Sequence, residues 1–276
     1  MNIDEKIKEI ARNMNPIDDI FFRKMAEYLP FCEEILQVIL ADKKLKVIEG
    51  LPQFHGTNLQ GRSVIFDLKC TLGTGEEVDV EVQKADDDDH QRRVRYNGAV
   101  LTTNITDTGK RFADVPDVIV VYISRFDIFA SGKTVYHVRR VVEETGAVVE
   151  NGFREVYVNA AIDDGSDVAE LMKVFMQNDS YSEKFPITSA RKKQFKLRED
   201  SDMNINEELE KLYAMSTEKG RKEGRKEGLK EGKKEGLREG RRGMLADLVK
   251  EGIISITVAA KKAGMTEEAF RKMAML

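Results

Sequence analysis

Two alternating segments decide the predicted fold: Val64-Ile-Phe-Asp67-Leu-Lys69 and Val78-Asp79-Val-Glu81-Val-Gln83. Side chains two residues apart on a β-strand lie on the same face of the sheet. The second segment is therefore predicted to have its valines on one face and Asp79, Glu81 and Gln83 on the other. The glycine-bearing stretch 71–77 between the segments predicts a hairpin loop. We expect two neighbouring antiparallel strands.

The register of this hairpin determines whether two carboxylates meet. A short loop centred on Thr74 places Asp67 directly opposite Glu81, with Cβ atoms about 4.5 to 5.5 Å apart. Like charges this close destabilise each other unless a proton or a cation lies between them. Magnesium takes oxygen ligands and commonly uses one or two carboxylates, so the pair predicts a site for a divalent cation. The alternative is a polar sheet face on which Asp79 pairs with Lys69 across the strands.

Residues outside the hairpin extend the pattern. Glu81-Val82-Gln83 is followed by Arg92-Arg93-Val-Arg95-Tyr96, and the N-terminal part of the chain contains Asn15-Pro16-Ile17-Asp18-Asp19-Ile20-Phe21-Phe22. With Asp67, this combination resembles the PD-(D/E)XK nuclease superfamily and, within it, the Rpn group of recombination-promoting nucleases, also described as transposases. The resemblance implies an α/β fold with a PD-(D/E)XK restriction-endonuclease-like core. In that core a mixed central sheet is flanked by helices, and an α-helical C-terminal tail follows.

The resemblance also implies an activity, that of a magnesium-dependent (or manganese-dependent) DNA endonuclease linked to recombination or mobile elements. Asp67 and Glu81 would bind the cation, and Gln83 would orient the attacking water. Gln83 stands where the superfamily name has lysine, and an amide is uncharged and cannot act as a base near neutral pH. The alternative is therefore a catalytically weak or inactive nucleic-acid-binding or regulatory protein that oligomerises through its C-terminal repeat.

An N-terminal helix is predicted from the apolar periodicity of residues 17–40, with an interruption near Pro30. Members of the superfamily often carry a further acidic residue on this helix, and the resemblance makes Asp19 or Glu34 the candidates. Acidic residues on helices are commonly solvated, which is the alternative interpretation of both.

A second helix is predicted from about His90 to Asn104. As the resemblance implies for a helix beside the active site, Arg92, Arg93 and Tyr96 would contact DNA phosphate. The arginines could instead pair with the acidic run 86–89 at the start of the same helix, where negative charge is favoured. The sequence leaves both interpretations open.

Further elements complete a mixed sheet. The nearly continuous apolar run 116–124 predicts a central strand that is buried on both faces. Strands are also expected at 135–142 and 154–161, followed by a helix at 168–177.

The C-terminal part of the chain has a different composition. From Lys219 to Gly240 it repeats lysine or arginine, glutamate and glycine every four residues, with a net positive charge. Glycine costs about 1 kcal/mol relative to alanine inside a helix, so a repeat helix would gain from a partner. We expect a nuclease-like domain at 1–200, a charged linker with the repeat at 201–243 and a helix-turn-helix-like segment at 244–276. DNA and a second copy of the chain are the predicted partners, and a solvated rod is the alternative for the repeat.

Composition excludes several classes of protein. No apolar run reaches the roughly 18 residues of a membrane-spanning helix, and the first residues do not resemble a signal peptide. A soluble, cytoplasmic protein is expected. The two cysteines, Cys32 and Cys70, form neither a disulfide framework nor zinc spacing, so we expect buried thiols.

Overall fold

The computed structural model describes residues 9–10, 12–58, 61–86, 89–197, 233 and 236–275. Contacts divide the chain into two compact units, Met1–Leu209 and Glu210–Leu276. Among the described residues, no helix combines the length and the apolar composition needed to span a bilayer.

A mixed six-stranded sheet forms the centre of the first unit, with strand order β1-β2-β3-β4-β6-β5. The strands are β1 (Val47–Gly56), β2 (Val64–Leu72), β3 (Glu77–Gln83), β4 (Val118–Ser124), β5 (Val135–Val138) and β6 (Phe153–Asn159). Strand β4 pairs in parallel with β3 and with β6, whereas the other pairs are antiparallel. A parallel pair requires a crossover connection, and a helix between β3 and β4 provides it.

Helices cover both faces of the sheet. They are α1 (Asp19–Ala26), α2 (Leu29–Ile39), α3 (His90–Ile105), α4 (Asp167–Met176) and α5 (Pro186–Leu197). On one face, α1, α2 and α4 bury the valines of β3 in the larger apolar cluster. On the other face, α3 packs over Val120, Tyr122 and Tyr157. The polar face of β3 is the one that α3 covers, since Asp79 and Glu81 both contact α3.

The hairpin has the predicted register. Lys69 lies opposite Asp79 and Leu68 opposite Val80, which is the pairing that a short loop centred on Thr74 produces. Gly75 adopts a φ of 90° in that loop, a conformation that glycine reaches without steric cost. The predicted α/β fold with a mixed sheet between helices is confirmed.

Other predictions are confirmed in part. The helical region 17–40 is split into α1 and α2, with Pro30 in the first turn of α2. Strand β4 is buried along its whole length, as a central strand should be. The strand expected at 135–142 ends at Val138, and β1 and α5 were not predicted. Both cysteines are buried free thiols, as predicted.

The second unit contains a small helical core. Residues 236–250 are helical (α6), followed by α7 (Ile256–Ala263) and α8 (Glu267–Ala274). Gly264 ends α7 with a left-handed φ of 65°, and the Thr266 side chain accepts a hydrogen bond from the Ala269 amide at the start of α8. Most of the predicted repeat helix, residues 219–232, lies outside the described residues. The predicted boundaries after residues 200 and 243 therefore stay predictions.

Candidate active site

Asp67 and Glu81 meet where the backbone ladder between β2 and β3 ends. The last paired residues are Leu68 and Val80, and beyond them the two carboxylates replace the missing backbone acceptors. The Asp67 amide donates to Glu81 Oε1 at 3.2 Å. The Val82 amide donates to Asp67 Oδ2 at 3.0 Å. Each carboxylate thus accepts a hydrogen bond from a backbone amide of the opposite strand, and these two bonds hold both carboxylates in place.

Three carboxylates are buried together at this position. Asp67 is 9% exposed, and Asp79 and Glu81 are fully buried. Burial raises the pKa of all three groups, because desolvation disfavours their charged forms. Repulsion from Glu81 raises the pKa of Asp67 and Asp79 further, and the nearby Asp19 carboxylate adds to the effect on Asp67. Ionisation of all three carboxylates would therefore place more negative charge here than the neighbouring groups compensate.

Asp79 belongs to this cluster, whereas the sequence suggested that it pairs with Lys69. Its Oδ2 accepts a weak hydrogen bond from Asn97 of α3 at 3.3 Å. Its Oδ1 is buried without a hydrogen-bond partner among the described residues. The expected pairing with Lys69 is wrong, because the Lys69 ammonium lies 2.9 Å from the Glu77 carboxylate instead. The alternation that placed Glu81 on this face was the signal that also placed Asp79 there.

Arg93 connects the cluster to α3. Its guanidinium donates to Glu81 Oε2 at 3.1 Å and to Gln83 Oε1 at 3.0 Å. The amide of Gln83 in turn donates to the backbone carbonyl of Ala85 at 2.6 Å. Among the described residues Arg93 thus contacts Glu81 and Gln83, and it brings positive charge to both.

The other two predicted phosphate contacts are engaged elsewhere. The Arg92 guanidinium lies 3.1 Å from the Asp89 carboxylate, which is the alternative that the sequence left open. The Tyr96 hydroxyl donates to the Arg62 carbonyl and accepts from Asn58 Nδ2 at 3.0 Å. These contacts tie Tyr96 to the connection between β1 and β2.

The two further acidic candidates have different positions. Asp19, at the start of α1, lies close enough to Asp67 to raise its pKa, and it also forms an ion pair with Arg23. Glu34 accepts hydrogen bonds from the Ile187 and Thr188 amides at the start of α5. Those bonds satisfy free helix-terminal amides, so Glu34 joins α2 to α5 and the prediction of a site role for it is not supported.

The chemistry of the cluster suits a hard divalent cation. Asp67, Asp79 and Glu81 offer carboxylate oxygens, which are the ligands that magnesium and manganese prefer. Within the described ranges, no group of three or more histidine, cysteine, aspartate or glutamate side chains is arranged to hold a metal ion. A cation here would have Asp67 and Glu81 as protein ligands and would take water and substrate phosphate as the others, as magnesium commonly does.

Comparison with known proteins gives one match. A family model described as PD-(D/E)XK nuclease family transposase matches residues 30–223, well over half of the chain. The matched range contains the three buried carboxylates, Gln83 and Arg93, and it begins after Asp19. No curated protein and no solved structure matches the chain significantly.

Proposed function

The chain belongs to the PD-(D/E)XK nuclease family transposases, and we therefore propose that it is a metal-dependent endonuclease that hydrolyses phosphodiester bonds in DNA. The observation that carries this proposal is the pair Asp67 and Glu81, which is buried, interlocked through backbone amides and raised in pKa. Such a pair stabilises a bound cation and is costly without one.

Asp67 and Glu81 are the residues that would hold the cation next to the scissile phosphate. When bound, the cation supplies Lewis-acid chemistry, activating a water and stabilising charge on the leaving oxygen. Asp67 and Glu81 keep their geometry because each accepts a backbone hydrogen bond from the opposite strand. Their oxygens are therefore positioned before substrate arrives, which reduces the reorganisation needed at the moment of reaction.

Arg93 supplies the positive charge that Gln83 lacks. The guanidinium already contacts Gln83 Oε1, at the position where the family name has lysine. A guanidinium stays charged at any physiological pH and can stabilise developing charge on phosphate oxygens. In this proposal Arg93 stabilises the phosphate, and Gln83 orients the attacking water with its amide.

Substrate and cation are proposed from the family. The description as a transposase supports DNA as substrate and a role in recombination or at mobile elements. Magnesium is the proposed cation and manganese the substitute, because both take oxygen ligands.

A second candidate function is nucleic-acid binding without catalysis. It is favoured by the contacts of Gln83, whose two amide atoms bond Arg93 and the Ala85 carbonyl. A glutamine held in this way has a structural role in addition to any role toward water. In that case the protein would bind DNA with the site intact but would not cleave it.

Incubation with supercoiled plasmid and magnesium separates the two candidates. We expect wild-type protein to nick the plasmid and EDTA to abolish nicking. Asp67→Ala and Glu81→Ala should each lose about a thousandfold in rate, because a bound cation contributes several kcal/mol of transition-state stabilisation. The matched control is Glu49→Ala, which removes an exposed carboxylate near the loop end of the same hairpin.

The outcomes differ for each candidate. Nicking that persists in both Asp67→Ala and Glu81→Ala would remove the proposed site. A wild type that binds the plasmid but leaves it intact at every magnesium and manganese concentration would favour the binding protein.

We also propose that the chain associates with a second copy through its charged C-terminal repeat and helix α6. Leu237 and Met244 of α6 are 68% and 64% exposed. Seven residues are about two helical turns, so both side chains lie on one face of α6. We expect light scattering to give a dimeric or larger mass for the full chain and a lower mass for Leu237→Glu/Met244→Glu. A monomeric wild type would contradict the proposal.

A further inference from the structure

A hydrogen-bonded histidine lies behind the candidate site. His90 is the first residue of α3 and is only 6% exposed. Its Nδ1 lies 2.9 Å from the Tyr122 hydroxyl, and its Nε2 lies 3.0 Å from Asp86 Oδ1. The ring of Phe126 packs against it, with centroids 4.8 Å apart. Both ring nitrogens are therefore engaged, and the ring is held in one orientation.

The chemistry of the neighbours assigns the direction of these bonds. A carboxylate can only accept, so His90 Nε2 carries the proton that is donated to Asp86. In a neutral ring Nδ1 is then the acceptor, and the Tyr122 hydroxyl donates to it. The three side chains form a hydrogen-bonded series in which Tyr122 donates to His90 and His90 donates to Asp86.

Both ends of this chain are tied to the candidate site. Tyr122 is fully buried on β4 and lies beside Glu81 in the parallel register of β3 and β4. Asp86 belongs to the connection that leads from β3 to α3. Arg93 follows His90 by three residues, so the two side chains project from the same side of α3. His90 thus fixes the helix to β4 within one turn of the residue that contacts Glu81 and Gln83.

The start of α3 is capped without any help from His90. The Asp89 side chain accepts a hydrogen bond from the Arg92 amide at 3.1 Å, which is the usual bond of a helix N-cap. Asp86 is 71% exposed, so its bond to His90 is not required to satisfy a buried carboxylate. The contacts of His90 are therefore available for positioning rather than for helix formation.

We infer that His90 is a positioning residue for the nuclease site: held between Tyr122 and Asp86, it fixes the first turn of α3 so that Arg93 reaches Glu81 and Gln83. This inference rests on the proposed function and adds a group of residues that acts through Arg93. His90 itself contacts none of the three buried carboxylates Asp67, Asp79 and Glu81, and we assign it no contact with the substrate.

The test combines two substitutions that delete hydrogen bonds and keep an aromatic ring. Tyr122→Phe removes one hydroxyl, and His90→Phe removes both ring nitrogens. Each is expected to lower the maximal nicking rate by about 10-fold to 100-fold, as for other residues that orient a catalytic group, with little change in the plasmid concentration giving half-maximal rate. His137→Phe and Tyr28→Phe are the matched controls, because they change the same residue types at exposed positions. Thermal unfolding of each variant separates lost positioning from lost folding.

A double variant tests the route through Arg93. If His90 acts by placing Arg93, then His90→Phe should cost almost nothing further in a chain that already carries Arg93→Ala. Histidine ring nitrogen NMR gives a readout besides nicking. The chain has three histidines, so their signals can be assigned by substitution, and His90 is expected to carry a proton on Nε2, the nitrogen that faces Asp86.

The results separate this inference from the proposed function. If the wild type nicks, Asp67→Ala does not, and His90→Phe nicks like His137→Phe, the inference is overturned while the nuclease proposal stands. Fully additive losses in the double variant, or a His90 ring protonated at Nδ1, would also overturn it. A wild type without nicking activity would contradict the nuclease proposal and with it the positioning role.

Discussion

The two ends of the β2–β3 hairpin bury charge on the same face of the sheet, with opposite outcomes. Near the loop, Lys69 lies 2.9 Å from Glu77 and 3.8 Å from Glu49. Lys69 and Glu77 are only 8% and 12% exposed, so this end is a buried but compensated ion pair. Farther along the same strands Asp67, Asp79 and Glu81 are also buried, and of these three Arg93 contacts Glu81.

The difference shows where the chain is complete without a ligand. At the loop end, burial of a cation is matched by burial of an anion within the same hairpin. At the Asp67 end, burial raises the pKa of three carboxylates, which marks a local electrostatic cost. A protein that retains such a cost at one place is expected to recover it on binding a cation. We therefore expect the loop end to contribute stability, and the other end is the one proposed to carry the function.

Among the residues around the carboxylate pair, the largest effect is expected at Arg93. Arg93→Ala should lower the nicking rate by about 10²-fold to 10³-fold, the usual loss when one preorganised donor is removed from a transition state. Arg93→Lys keeps the charge but cannot make both contacts, so its rate should be intermediate. Nicking kinetics at saturating magnesium measure both.

Arg92→Ala is the neighbouring control for Arg93. Arg92 is exposed and paired with Asp89, so its loss should change nicking by less than about threefold, as expected for a surface ion pair. Equal losses at positions 92 and 93 would mean that general attraction to DNA, rather than contact with Glu81, explains the role of Arg93.

Matched carboxylate-to-amide substitutions at the two ends of the hairpin should change the free energy of unfolding in opposite directions. Glu77→Gln leaves the Lys69 charge without its close partner and should destabilise the protein by about 2 kcal/mol, somewhat less than for a fully buried pair, because Glu49 remains. Asp79→Asn removes one of three crowded carboxylates and should stabilise the metal-free protein by about 1 kcal/mol. Urea unfolding in EDTA measures both free energies. Changes of the same sign would break the comparison.

The pH dependence of Asp79 gives a smaller and more specific effect. Burial and repulsion place the folded-state pKa of Asp79 well above its ordinary value of 3.8. Below pH 3.8 the Asp79 carboxyl is protonated in both the folded and the unfolded chain, so wild type and Asp79→Asn should be similarly stable. As pH rises above 3.8, the unfolded chain loses the proton first, and the wild type loses stability relative to Asp79→Asn.

The stability difference between the two proteins in EDTA should therefore increase with pH until the folded-state pKa is passed. Urea unfolding at a series of pH values from 4.5 upward measures it, and added magnesium should shrink it. A constant difference across this range would show that Asp79 is ionised in the folded protein as it is in the unfolded chain.

The hairpin register, strand β4 and the boundary between α7 and α8 were predictable from the sequence, because they depend on short-range rules. Alternation with a period of two and a short glycine loop determine the register, and the register brings Asp67 toward Glu81. The apolar run of β4 predicts a central strand. The glycine and threonine between α7 and α8 predict that helix boundary.

Other parts were not predictable, because they depend on which of several reachable partners a long side chain contacts. Lys69 faces Asp79 in register but pairs diagonally with Glu77. Arg93 contacts Glu81, which lies 12 residues before it on a different element. Glu34 accepts hydrogen bonds from amides 153 and 154 residues away, which no local pattern signals.

The missed elements have local causes as well. Strand β1 contains Gly50, Pro52 and Gly56, which interrupt the alternation that identifies a strand. Helix α5 begins at Pro186 and buries Lys192. The Lys192 ammonium donates to the carbonyl of Val174 in the last turn of α4 at 2.8 Å and to that of Ser180 after α4 at 3.2 Å. A lysine in this position weakens the apolar pattern by which a packed helix is predicted.

Manganese binding can be monitored through the paramagnetic effect of the bound ion on water relaxation. This measurement tests whether Asp67 and Glu81 together hold a cation. In the presence of a short DNA duplex, the account predicts saturable manganese binding by the wild type. Asp67→Asn and Glu81→Gln should abolish it, whereas Glu77→Gln at the other end of the hairpin should bind like the wild type. Equal manganese binding by all four proteins would contradict the claim that Asp67 and Glu81 together hold the cation.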